Sequence, residues 1–456
     1  MFTIMNRRRG RANWTAAIAV VAATTVLIAS CGSDDDSGSA TPSTEAAPET
    51  TEAAPGTTEA APETTEAAPE TTDASAGLSG DTTSDMSADA QAEVEAAIST
   101  GLERVTNAAP IYEPPALYVG VWDPETGSYL TALGEAQPGQ PATLQDHYRI
   151  GSTTKTFTAS VILQLVDEGK LTLDDTIGEL LPDLAATHPE IADITVESLL
   201  RMKSGIEDYL NVKDSVVADI VADPSRVWEP EELIDAALEK EVSPQGTSGY
   251  STTNSIILQL IAESIEGAPL PELIQNRLLD PLGMTESSLP IEDPSLPEPY
   301  ASGHLNEGCV AELTRDGATG VDTDTDPTDW SISYAQGGGG ITSTLSDLGL
   351  WADSNSGNTF LSPDLQEARL IADSPIVGPE IPEIYALGMF QLADNWYGHA
   401  GEAIGWQSLV LHDPDTGVSV AFASNTCSTQ DLIYWSILNE LYPNATLDEF
   451  LTSQGL

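Results

Sequence analysis

The chain has 456 residues, enough for one large domain or two smaller ones, and its 72 acidic against 16 basic residues give a formal net charge of −56. A polyanion of that size repels phosphate backbones and anionic lipid surfaces. Nucleic acid is thereby excluded as a partner, and membrane association is left to a covalent or inserted anchor.

Arg7, Arg8, Arg9 and Arg11 precede the apolar run WTAAIAVVAATTVLIAS, which ends at Ser30. The run is short and Ala-rich for a permanent span, so residues 1–30 read as an export signal. Leu27, Ala29 and Ser30 before Cys31 resemble a bacterial lipobox, which implies lipidation of Cys31 and a position on the outer face of the cytoplasmic membrane. Residues 31–86 follow as a tether. The unit AAPETTE and its variants begin at Ala46, Ala53, Ala60 and Ala67, and a proline in each rules out a coiled coil. The remainder, 87–456, reads as one catalytic domain.

Ser87–Asn107 carries Val94, Ala97, Ile98 and Leu102 at helical spacing. ALYVGVWD and GSYLTALG then flank the turn PETG, and near the C-terminus GWQSLVLHD and GVSVAFASN flank PDTG. TQDLIYWSILNELY reads as a closing helix. Residues 151 to about 380 are mainly helical and loop-rich. The pattern predicts an α+β fold: one antiparallel sheet built from both ends of the chain, flanked by helices, with a mainly helical subdomain inserted and a cleft where the two meet.

Three short stretches carry chemistry. In YRIGSTTKTF, Ser152 and Lys155 lie three residues apart at a helix start, and Phe157, Val161, Ile162, Leu165 and Val166 continue the helix toward Gly169. A desolvated lysine can take the serine proton, and the helix N-terminus offers N–H groups to an oxyanion. In GTSGYSTTNS, Tyr250 stands at a loop-to-helix boundary and can relay a proton. In YGHAGEAIGW, His399 and Gly401 precede a strand; glycine admits a substrate against the strand edge, and the Glu402 N–H can complete an oxyanion hole.

In this order the three stretches resemble the serine β-lactamase and penicillin-binding protein family. The match is to the branch holding class C β-lactamases, D-alanyl-D-alanine carboxypeptidases and related esterases. DHYRIGSTTKTFTA, ITVESLLRMKSGIEDY and GGGGITSTLSDLGLW resemble it as well. The resemblance implies a β-lactamase/transpeptidase-like fold, with Ser152 as acyl-forming nucleophile, Lys155 as its base and Tyr250 as general base or acid. It further implies that His399 and Gly401 line the substrate strand, that the Ser152 and Glu402 N–H groups form the oxyanion hole, and that Tyr334 is an aromatic wall of the pocket.

Two departures bear on substrate. Thr252 stands where the family usually has an asparagine, and Asn254 lies two residues on, facing elsewhere. No lysine or arginine follows Arg369, so a cation for a substrate carboxylate is left to Arg315, Arg369 or protonated His399. His399 also replaces the lysine of class C β-lactamases, which weakens the β-lactamase reading. The five histidines are scattered, with no H-E-x-x-H or C-x-x-C, so no metal or cofactor is expected. Cys309 and Cys427 are left as a disulfide or as two buried thiols.

The expected function is a lipid-anchored serine hydrolase of the D-alanyl-D-alanine carboxypeptidase type, acting on peptidoglycan stem peptides. The alternatives are a carboxylesterase on small esters, a weak class C-like β-lactamase and, outside enzymes, a non-catalytic wall-binding module.

Overall fold

The computed structural model describes residues 80–109, 113–212, 216–357, 359–375, 383–393, 395–427 and 431–456. The signal segment 1–30, Cys31 and most of the tether lie outside the described residues.

Both D-P-x-T-G turns close hairpins. The first joins β2 (Ala116–Asp123) to β3 (Gly127–Gln137), and the second joins β8 (Trp406–Asp413) to β9 (Val418–Ser424). β9 pairs antiparallel with β2, so the two ends of the chain make the centre of one sheet. With β1 (Asp81–Ser84), β4 (Ser374–Pro375), β5 (Glu383–Tyr385), β6 (Phe390–Leu392) and β7 (Trp396–Ala403), the order is β1-β3-β2-β9-β8-β7-β6-β5-β4.

Side chains alternate across this sheet and both faces are covered. Leu117, Val119 and Val121 of β2 join Ile98 and Val105 of α1 (Ala88–Ala108) and Ile433, Ile437 and Leu438 of α6 (Asp431–Leu441). Tyr118, Val410 and Ala421 face the other way. Their core includes Phe157 of α2 (Thr154–Asp167), Ile256 of α3 (Thr253–Glu266) and Trp351 of α5 (Leu345–Ser356). The inserted helical part is thus held to the sheet by one continuous apolar layer. No helix among the described residues is long and apolar enough to cross a membrane.

One boundary needs correction. Residues 81–84, placed in the tether for their composition, form the edge strand β1 against Tyr129–Ala132. Threonine suits a half-buried pleated surface, and the Thr82 and Thr131 hydroxyls bond across it at 2.7 Å. The folded part therefore includes residues that precede Ser87.

Cys309, on α4 (Glu307–Arg315), is bonded to Cys427, with the two Cα atoms 5.6 Å apart and a sequence separation of 118. Leu305, Leu313, Val217 and the partly buried Ile404 gather around the bridge. It therefore pins the inserted part to the chain leaving β9. Replacing both cysteines with alanine should lower stability by about 3–5 kcal/mol, since the bridge closes a long loop. Urea unfolding reads this directly, and an unchanged midpoint would contradict it.

Candidate active site

Gly151–Thr153 form a single 3-10 turn and α2 continues from Thr154. Ser152 and Lys155 therefore stay on one side of a continuous helical path. Gly151 has φ +51, and a Cβ there would lie 2.4 Å from the Glu402 backbone. A Cβ on Gly401 would lie 1.9 Å from the Ile150 carbonyl oxygen. Two glycines thus let β7 and the serine turn meet backbone to backbone. The contact is latched by hydroxyls: Ser408 donates to the Ile150 carbonyl (2.8 Å), and Thr153 lies 2.8 Å from the Ser408 oxygen and 3.2 Å from the His399 carbonyl.

Lys155 is 2% exposed. Its Nζ lies 2.9 Å from Ser152 Oγ, 2.8 Å from the Gly338 carbonyl oxygen and 4.9 Å from the centre of the Tyr250 ring. Gly338 belongs to a short 3-10 turn at Gln336–Gly338, packed against α2 and α3. Burial pulls the amine down to about 7, and the negative charge of Asp208 opposes that pull. The Tyr250 hydroxyl is hydrogen-bonded to Ser152, and burial keeps it well above the ordinary phenol range.

His399 has a different environment from a surface loop histidine. It is 3% exposed and lies on β7 among Tyr250, Tyr385 and Phe390. Its Nδ1 meets the Ala400 carbonyl, which can only accept, so the ring hydrogen sits there and Nε2 accepts from the Tyr385 hydroxyl at 3.0 Å. Burial, aided by the charge of Lys155, pulls the ring down to about 3. His399 is therefore neutral and offers no positive charge.

The other cations considered for a substrate carboxylate are engaged too. Arg369 is 1% exposed and donates to the Asn355 carbonyl (2.9 Å), Asn355 Oδ1 (2.8 Å) and Ser160 Oγ (3.0 Å). Arg315 is at the surface and clasps Asp316 through two bonds, of 3.1 and 3.2 Å.

Thr252 is buried, and a side chain at Gly338 would meet its methyl group at 2.6 Å. That methyl helps exclude water beside the carbonyl that holds Lys155. Asn254 faces elsewhere: its Oδ1 accepts from the Ser204 hydroxyl at 2.6 Å. Tyr334 is buried in the core, where its hydroxyl bonds the Ile404 backbone and its carbonyl accepts from Tyr209 at 2.5 Å. Sequence reasoning missed Tyr385, Gly338, the Thr153–Ser408 latch and Asp208. Only Asp208 had a local signal, as an aspartate one residue before the turn at Tyr209–Asn211 that it caps.

A sheet built from both chain ends, with Ser152, Lys155 and Tyr250 gathered at the inserted helical part, defines a β-lactamase/transpeptidase-like fold. Residues 105–438 match the Beta-lactamase family model, and the chain belongs to that family. Its members are serine hydrolases that include amidases, esterases and penicillin-binding proteins. Penicillin-binding protein 4 of Amycolatopsis lactamdurans is 24% identical over 306 residues, covering 63% of this chain and 74% of that protein. Lovastatin esterase of Penicillium rubens is 29% identical over 209 residues, but the match spans only 42% of this chain and 50% of the esterase. Among solved structures, a D-stereospecific amidohydrolase from Streptomyces sp. aligns with TM-score 0.65 and 24% identity over 76% of this chain and 98% of its own. A D-amino acid amidase from Ochrobactrum anthropi aligns with TM-score 0.65 and 21% identity over 77% and 100%. These two structural likenesses speak to fold.

Gly401→Ala should reduce kcat/KM on a nitrophenyl ester by at least about 100-fold, because the added carbon forces β7, with the Glu402 N–H, away from the serine turn. Circular dichroism should stay native-like. Near-wild-type turnover would show that the close contact is dispensable.

Proposed function

We propose that this protein is an acyl-enzyme hydrolase of amides and esters whose leaving group carries no free carboxylate. The observation that carries the proposal is the buried amine of Lys155, 2.9 Å from Ser152 Oγ, which burial pulls down to about 7. Nζ donates to the Gly338 carbonyl and to Ser152 Oγ; once the amine is neutral, its lone pair can turn to the serine hydroxyl. Lys155 takes that proton as Oγ attacks the substrate carbonyl. The N–H groups of Ser152 and Glu402 receive the developing oxyanion. The proton held by Lys155 returns through Tyr250 to the leaving nitrogen or oxygen as the C–N or C–O bond breaks, which leaves the amine neutral again. Water then attacks the acyl ester by the reverse relay and frees Ser152. Gly401 and Thr252 lie on the substrate side, and His399 orients β7 through Tyr385.

The carboxypeptidase reading needs a cation for a terminal carboxylate. Arg369 is in the core, Arg315 is held by Asp316 and His399 is neutral. Glu207 and Glu402 are exposed, and their backbones touch Ser251 and Gly151 beside the site. The name of the lovastatin esterase agrees with an ester substrate. Stem peptides of the cell wall remain the natural partner if their terminal carboxylate is masked.

The direct comparison is a D-alanyl-D-alanine peptide against its C-terminal amide. The amide should be cleaved at least about tenfold faster, and Ser152→Ala should lose both activities. Faster cleavage of the free acid would restore the carboxypeptidase reading. For location, we propose a lipid anchor on Cys31 at the outer face of the cytoplasmic membrane. Cys31→Ser should then release the protein into the soluble fraction, and continued detergent-dependent extraction would refute the anchor.

A further inference from the structure

A carboxylate taken from water is destabilised unless hydrogen bonds replace its hydration. Asp208 is 4% exposed. Both oxygens accept backbone N–H groups: Oδ1 from Leu210 at 3.0 Å and Oδ2 from Thr252 at 2.8 Å. The bonds around it join the same two segments. Ser251 and Thr253 hydroxyls donate to the Glu207 carbonyl at 3.2 and 2.8 Å, and the Tyr209 N–H donates to Thr253 Oγ1 at 3.2 Å. Asp208 therefore sits on the seam that fixes the residues immediately after Tyr250. A neutral serine or asparagine could cap the short turn at Tyr209–Asn211 equally well. Capping alone gives no reason to bury a charge.

We propose that Asp208 is a positioning residue that holds the start of α3 in place and, by its fixed negative charge, sets the pH range in which the Ser152–Lys155–Tyr250 site works. This rests on the reading of Lys155 as the base.

The groups facing Lys155 support the assignment. On its own helical path there is only the Ser152 hydroxyl. The Gln336–Gly338 turn offers a carbonyl, the segment before α3 offers the neutral Tyr250 phenol, and β7 offers the neutral His399. Tyr385 and Glu383 on β5 act on Tyr250, and Tyr385 bonds His399. Asp208 is the anion that opposes the effect of burial on Lys155. A buried amine with no such counter-charge loses its proton at lower pH but becomes a weaker base, which slows proton transfer. Asp208 keeps the amine strong enough to take the serine proton near neutral pH.

The test is the pH dependence of kcat/KM for nitrophenyl acetate, measured on the full chain and its variants. The wild type should show an acid limb near pH 7, because only the neutral amine is active. Asp208→Asn removes the charge that favours the ammonium, so the limb should move to lower pH by roughly 0.5–1 unit with a reduced plateau. Asp208→Glu should keep the limb within about 0.3 unit of wild type, whatever its rate. Asp208→Ser, a neutral cap, replaces the asparagine variant if that one does not fold. A neutral variant that loses rate at every pH with an unmoved limb would overturn the proposal and leave Asp208 a structural cap. A wild type with no limb near pH 7 would instead overturn the reading of Lys155.

Discussion

An ammonium ion in a dry site is strongly disfavoured, and the structure around Lys155 turns that fact into chemistry. Water is kept away by α3, the Gln336–Gly338 turn and the methyl of Thr252. What remains near the amine is a hydroxyl, a carbonyl, a neutral phenol and a neutral imidazole, with Asp208 as the opposing anion. The amine can then lose its proton near neutral pH and act on the adjacent serine. The same dryness strengthens every dipole aimed at the reacting carbonyl.

The second requirement is a backbone surface that does not move. Glycines at 151 and 401 bring the serine turn and β7 into direct backbone contact, and the hydroxyls of Thr153 and Ser408 lock the register. His399 serves this strand through Tyr385 more than it serves electrostatics. That division explains how one histidine can stand at a position where a positive charge is common and still leave the site without one.

Much of this was legible in the sequence. The two D-P-x-T-G hairpins and the closing helix have strong local patterns, and they fixed the sheet built from both chain ends. Ser152, Lys155 and Tyr250 were legible as motifs because each sits at or beside a helix start; His399 was legible from the H-x-G pattern, although it lies inside β7. The short strands Ser374–Pro375, Glu383–Tyr385 and Phe390–Leu392 were not, since two or three residues carry no periodicity. Asp208 escaped for a different reason: one of its partners is the N–H of Thr252, 44 residues on, and backbone groups leave no mark in a sequence. The fates of Arg315 and Arg369 depend on burial and pairing, which only the folded chain reveals. Strand Asp81–Ser84 was hidden by a composition shared with the tether before it.

The chain has only five lysines, so the central claim can be observed directly. Lysines labelled with carbon-13 at the ε position would be titrated by NMR, with Lys155→Met identifying the resonance. The Lys155 resonance should titrate near pH 7, far below the ordinary lysine value of about 10.4. If the Lys155 signal titrates near that ordinary value, the amine is an ammonium at working pH, and its role as the base for Ser152 is contradicted.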